Sequence, residues 1–169
     1  VWKSHDNNDL IAGEENLLHA GNGQTDLSNS RICVMKSTST EYPSIILDFG
    51  KELQGGIQFV TGMPGSQKPV NIRVRFGESV SETMSDVGIR GATNDHAMRD
   101  FNLALSWLGV REVGNSGFRF VRIDLLDPET ELQLKEVRAI FTYRDIEYKG
   151  SFRCSDERLN KIWMTGAYT

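Results

Sequence analysis

The feature that most limits the fold of this 169-residue chain is alternation. In Val70–Phe76, residues Val70, Ile72, Val74 and Phe76 are apolar while Asn71, Arg73 and Arg75 are polar. Successive side chains of a strand point to opposite sides of the pleat, so this pattern predicts a strand with one buried and one solvated face. The same period runs through Ile45, Leu47 and Phe49, through Ile57 and Phe59, and through Phe101, Leu103, Leu105 and Trp107. It returns at Leu132 and Leu134, and from Val137 through Ala139 and Phe141 to Tyr143. A further strand is expected at Ile32–Met35. Phe118–Leu125 is apolar on both parities, which predicts a strand covered on both sides or a bulge that changes face.

Turn signals separate these runs at Gly55–Gly56, Met63–Pro64–Gly65, Gly114–Asn115–Ser116–Gly117 and Asp127–Pro128. No helix of the βαβ kind stands between the strands, which implies an antiparallel sandwich. Long connections such as Gly77–Asp100 favour a jelly roll, in which strands cross between sheets. The expected fold is all-β, an antiparallel jelly-roll-like β-sandwich with a C-terminal α-helix. Its expected divisions are an irregular, Asn/Gly/Ser-rich lead-in or linker over 1–40, a sandwich over 41–153 and a helical segment over 154–169.

That last segment has its own logic. Ser155 and Asp156 are N-cap residue types, and Asp156 and Glu157 place negative charge on the first turn. Leu159, Ile162, Trp163, Gly166 and Ala167 then share one helical face. Such a stripe either folds back on the sheet or meets a partner further along a longer gene product. The second is the expectation, with Leu159, Ile162 and Trp163 as interdomain interface residues.

Composition excludes more than it identifies. A net charge of −4 with interspersed signs argues against a nucleic-acid partner, which calls for a basic stripe. No apolar run approaches the about 18 residues that would span a bilayer, so no membrane partner is expected. Cys33 and Cys154 lack zinc-site spacing and nothing supports a disulfide between them; two free thiols are expected. Nucleophile-elbow, metalloprotease, P-loop and dinucleotide motifs are absent, and His5, His19 and His96 are too scattered for a metal cluster. Nothing singles out a pair of carboxylates among Glu78, Glu82, Asp86 and Asp95, so no catalytic residue and no metal ligand is assigned.

The densest polar stretch is ATNDHAMRD, before the strand that begins near Phe101. Asn94, Asp95 and Arg99 carry side chains that can each engage two adjacent sugar hydroxyls, and Trp107 could serve as a platform for a sugar ring. These four are the candidate carbohydrate-binding residues. Asp95 with backbone carbonyls would also suit calcium, the one cofactor considered. The ordinary alternatives are a loop whose Asn and Asp side chains satisfy their own backbone, and a Trp107 packed in the core with Phe101, Leu103 and Leu105. Arg73 and Arg75 are expected on a solvated strand face.

Four segments together resemble the β-sandwich that precedes the catalytic domain of bacterial α-L-rhamnosidases: Ile46–Phe59 (ILDFGKELQGGIQF), Ile72–Val80 (IRVRFGESV), Gly117–Ile123 (GFRFVRI) and Gly150–Thr169 (GSFRCSDERLNKIWMTGAYT). The order of the motifs carries more weight than any one of them. The last is the most specific, since Cys154, Ser155, Asp156, Leu159, Asn160, Ile162 and Trp163 all fit a junction that opens the first helix of an α/α barrel. The resemblance implies a parent glycoside hydrolase that cleaves terminal α-L-rhamnosides with two acids of that barrel, none of which maps onto this chain. It further implies a downstream helical catalytic domain as the sandwich's partner and a rhamnose-containing glycan as a second one. The expected location is the periplasm or outside the cell, with the cytoplasm as the alternative. An independent carbohydrate-binding module and a protein-interaction sandwich are the competing expectations.

Overall fold

The computed structural model describes residues 1–28, 30–86, 88–89 and 99–168. Its strands are β1 (Trp2–Lys3), β2 (Ile11–Ala12), β3 (Cys33–Lys36), β4 (Ser44–Thr61), β5 (Val70–Gly77), β6 (Asp100–Leu105), β7 (Val110–Leu125) and β8 (Glu131–Phe141). A short helix α1 (Val80–Met84) follows β5, and α2 (Glu157–Tyr168) follows β8. All pairings described are antiparallel, in the order β2-β3-β8-β4-β7-β5-β6 with β1 added on β4.

This ladder becomes a sandwich because its two longest strands serve both layers. The first part of β4, Ser44–Asp48, lies against Phe120–Asp124 of β7, with β1 at Ile45 and Ile46. The later part, Gly55–Val60, lies between β8 and the beginning of β7. One layer is therefore β6-β5-β7-β4-β1 and the other β2-β3-β8-β4-β7. The register breaks between Asp48 and Leu53 and between Gly55 and Ile57, and bulges of this kind bend and twist a strand.

Glycine permits the bend. At Gly56 an added Cβ would stand 2.3 Å from the Gly114 carbonyl oxygen, and Gly114 itself has φ +89° with the Phe76 ring where a Cβ would go. Gly55–Gly56 and Gly114–Gly117, expected as turns, are thus strand interiors. In a strand, glycine marks a bulge or close backbone approach as readily as a reversal.

The core follows the alternation. Ile72, Val74 and Phe76 of β5 meet Val121, Ile123 and Leu125 of β7, Ile57 and Phe59 of β4, and Leu132 and Leu134 of β8, all buried. Phe118 is buried on the opposite parity to Val121, so β7 changes face there, opposite the break in β4. The ring of Phe76 packs edge-on against Phe118 at 5.0 Å and Phe101 at 6.0 Å.

Three expectations change. Residues 1–40 are built into the sandwich: β1, β2 and β3 pair within it, and Leu10, Ile11, Cys33 and Met35 are buried in its core. The packing therefore does not break near residue 40; short strands between polar loops carry too little periodicity to be read. The Gly77–Asp100 connection does not cross between sheets, since it joins β5 to its neighbour β6. Passage between layers occurs at 4–10, 37–43, 62–69, 106–109 and 126–130, and within β4 and β7 themselves. Finally, β6 ends at Leu105, and Trp107 sits on the following turn, 36% exposed rather than packed in the core. Leu108 at φ 45° reverses the chain there.

Candidate functional site

Of the four predicted sugar contacts, the two that are described, Arg99 and Trp107, lie apart from each other. Asn94 and Asp95 lie outside the described residues. Arg99 is 1% exposed: its Nη1 donates to the carbonyls of Glu82 (3.1 Å) and Phe76 (3.4 Å), and its Nε lies 3.8 Å from the Glu82 carboxylate. The guanidinium ties α1 to the end of β5 instead of facing solvent. Trp107 is at the far end of β6, about 20 Å of extended chain away. Its turn is fixed by Thr61, whose hydroxyl donates to the Ser106 carbonyl at 2.7 Å and accepts from the Gly109 amide at 2.8 Å.

Helix α1 has a local cause. Ser79 caps it by accepting from the Glu82 amide at 3.2 Å, and the Glu82 carboxylate returns to the Glu78 amide at 2.8 Å. This is a reciprocal capping box, legible in the S-x-x-E spacing of Ser79–Glu82. The helix lies over the outer face of β5 and covers Arg75, which is 5% exposed. Arg75 pairs with Asp124 at 2.9 Å, Arg122 with the same carboxylate at 2.6 Å, and Arg73 with Asp100 and Asp86, each at 2.6 Å. The hydrogen bond from Arg73 holds the Asp86 carboxyl below its ordinary range. Each guanidinium is committed to an acid, so the face expected to be solvated is an internally neutralised network.

The more open arrangement is elsewhere. A cleft of about 710 Å³ lies between the bent middle of β4 and the segment that follows β8. Glu52, Gln54 and Glu78 line one side; Phe141, Tyr143 and Tyr148 line the other, with Tyr168 of α2 closing it. An added Cβ on Gly117 would be 3.1 Å from a Glu52 carboxylate oxygen and 3.5 Å from one of Glu78, so the two acids converge over that glycine. Burial, reinforced by the charges of Glu78 and Glu82, pushes the Glu52 carboxyl up. The rings of Tyr143 and Phe141 stack at 5.4 Å, and those of Phe141 and Tyr168 at 6.4 Å. The Thr142 amide on the Gln54 carbonyl (2.8 Å), the Tyr168 hydroxyl on the Glu52 carbonyl (2.7 Å) and the Tyr148 hydroxyl on the Ala167 carbonyl hold the walls together. Sequence reasoning missed this cleft because its residues come from well-separated segments.

Helix α2 begins where its sequence predicts. Asp156 accepts from the Arg158 amide at 2.8 Å, and the Asn160 side chain bonds both the amide and the carbonyl of Cys154, each at 2.9 Å. No described residue of α2 is buried. Leu159 is 48% and Ile162 59% exposed, and Trp163 is half-buried. Among the described residues no three His, Cys, Asp or Glu side chains gather around a common metal position, and no helix is long and apolar enough to cross a membrane. The calcium ligand considered, Asp95, lies outside the described residues.

No family model and no curated protein matches the chain. Solved structures do. A rhamnosidase from Klebsiella oxytoca with rhamnose bound is 19% identical, with a TM-score of 0.55 over 75% of this chain and 26% of its own. The lectin domain of lectinolysin complexed with Lewis B antigen is 16% identical, with a TM-score of 0.50 over 84% of this chain and 92% of its own. A fucose binding module of Streptococcus pneumoniae is 15% identical with a TM-score of 0.48, covering 80% of this chain and 85% of its own. The chain thus spans about a quarter of the rhamnosidase. At these identities the likeness establishes the fold: this is an antiparallel β-sandwich of the architecture seen in a rhamnosidase and in a lectin domain.

Proposed function

We propose that this chain is the non-catalytic β-sandwich of an α-L-rhamnosidase-like glycoside hydrolase, which supports a helical catalytic domain through α2 and contacts glycan. The observation that carries the reading is α2 itself. Its start is locked by Asp156 and Asn160, yet on its apolar stripe Leu159 and Ile162 are 48% and 59% exposed while Trp163 is half-buried. A well-capped amphipathic helix with its apolar side only partly covered is a surface made to be packed. The junction motif around Cys154–Trp163 and a shared sandwich fold that fills 26% of a rhamnosidase support the same reading. The acids that cleave the glycoside then belong to the helical domain and the sandwich contributes none.

The test is accessibility of α2. An Ile162→Cys variant in a Cys154→Ser background reacts rapidly with a maleimide in the 169-residue chain. In a protein carrying the proposed helical domain after it, the same thiol is protected by at least tenfold. Equal labelling rates in the two would refute the docking.

The second reading, an independent carbohydrate-binding module, is favoured by the lectin domain, whose length the sandwich matches at 92%. It needs no downstream domain and predicts an α2 stripe that stays open. Titration with and without calcium separates a metal-assisted sugar site from a direct one.

A further inference from the structure

The geometry points to a pyranose-binding site in the cleft between the bend of β4 and the segment after β8, a place distinct from Arg99 and from Trp107. The inference rests on the glycan-contact part of the proposed function. A cleft of about 710 Å³ is the size of a small-ligand site, and such sites favour boundaries between structural units. This one lies between the sandwich and the segment leading into α2.

Its chemistry is two-sided. Phe141 and Tyr143 stack and remain 46% and 68% exposed, so the aromatic wall offers an apolar surface to the C–H face of a sugar ring. Across from it, Glu52 and Glu78 converge over Gly117, with Gln54 beside them. These groups offer hydroxyl acceptors and an amide donor on one floor. Gly117 is what lets the acids reach that floor, since a side chain there would meet them.

A cation would also suit aromatics and acids, but the Lys51 ammonium already stands 6.0 Å from the centre of the Tyr168 ring that closes the cleft.

Calorimetric titration of the 169-residue chain with L-rhamnose and with L-fucose tests the site, with tetramethylammonium chloride as the cation probe. Tyr143→Ala and Glu78→Gln alter exposed side chains and leave the fold intact. Each weakens sugar binding about tenfold, whereas Trp107→Ala leaves it unchanged. Loss of binding in Trp107→Ala with none in the cleft variants would overturn the cleft while keeping the glycan reading. Tetramethylammonium binding in place of sugar would overturn the ligand class. Absence of heat from both sugars would overturn the cleft and the glycan contact together, leaving the docking of α2 to its own labelling test.

Discussion

The bend shared by β4 and β7 makes a quantitative prediction at Gly56. An alanine Cβ there would lie 2.3 Å from the Gly114 carbonyl oxygen and 2.5 Å from that of Val113. Both are backbone atoms of the neighbouring strand, so no side chain can rotate away and the strands themselves must separate. Forcing atoms into a packed interior costs about 1–3 kcal/mol, and relief here also breaks ladder hydrogen bonds worth about 1 kcal/mol each. Gly56→Ala is therefore expected to lose about 3 kcal/mol or more. In a chain of this size that lowers the melting temperature by about 6–12 °C.

Two other glycines calibrate the measurement. At Gly50 a Cβ meets nothing within 4 Å but φ is +79°, so only backbone strain of about 1 kcal/mol is expected. At Gly65 there is neither contact nor positive φ, and Gly65→Ala is expected to be neutral or slightly stabilising. Urea and thermal melts followed by circular dichroism rank the three. A Gly56→Ala variant within 1 kcal/mol of the parent would refute the continuous, closely crossing strands on which the two-layer architecture depends.

Removing Arg99 should leave the Glu82 carboxylate without its cation and the carbonyls of Phe76 and Glu82 without this donor. Arg99→Ala is expected to cost about 3–5 kcal/mol in urea melts, and Arg99→Met with Glu82→Met to recover part of that loss. Stability unchanged in Arg99→Ala would show that the guanidinium does not hold α1. The Cys33 thiol is pushed up to about 12, first by burial and then by the charges of Glu14 and Glu15. A raised thiol value means the folded state resists ionisation, so its stabilising contribution is complete below the ordinary 9.0 and is lost as pH rises toward about 12. A thiol reagent at neutral pH should label half-buried Cys154 and reach Cys33 only on unfolding, and Cys33→Ala should flatten the stability slope between pH 9 and 12. Rapid native labelling of Cys33 would contradict its burial.

Much of the sandwich is written in local patterns. β5 is legible because one face meets the core and the other meets polar groups, so period two survives intact. β4 and β7 are harder to read because glycine signals both reversal and bulge, and only the partner strand decides which. The capping box of Ser79–Glu82 was available in the sequence, yet five residues of helix give no apolar period to announce it. Arg99 shows the limit of residue type as a guide. An arginine before a strand suggests a ligand contact, but its burial depends on carbonyls from Phe76 and Glu82, which spacing alone does not place beside it. The cleft was illegible for the same reason, with Glu52, Glu78 and Tyr143 brought together only by the fold.

The most direct test of the proposed role is hydrolysis of para-nitrophenyl α-L-rhamnopyranoside. The sandwich chain alone should release no nitrophenol above background, while a protein carrying the sandwich followed by the proposed helical domain should release it steadily. Introducing charge at the α2 face with Ile162→Asp should impair the longer protein without unfolding the sandwich, since Ile162 is 59% exposed in the chain alone. Turnover by the sandwich chain itself, or a longer protein inactive on the rhamnoside, would contradict the account.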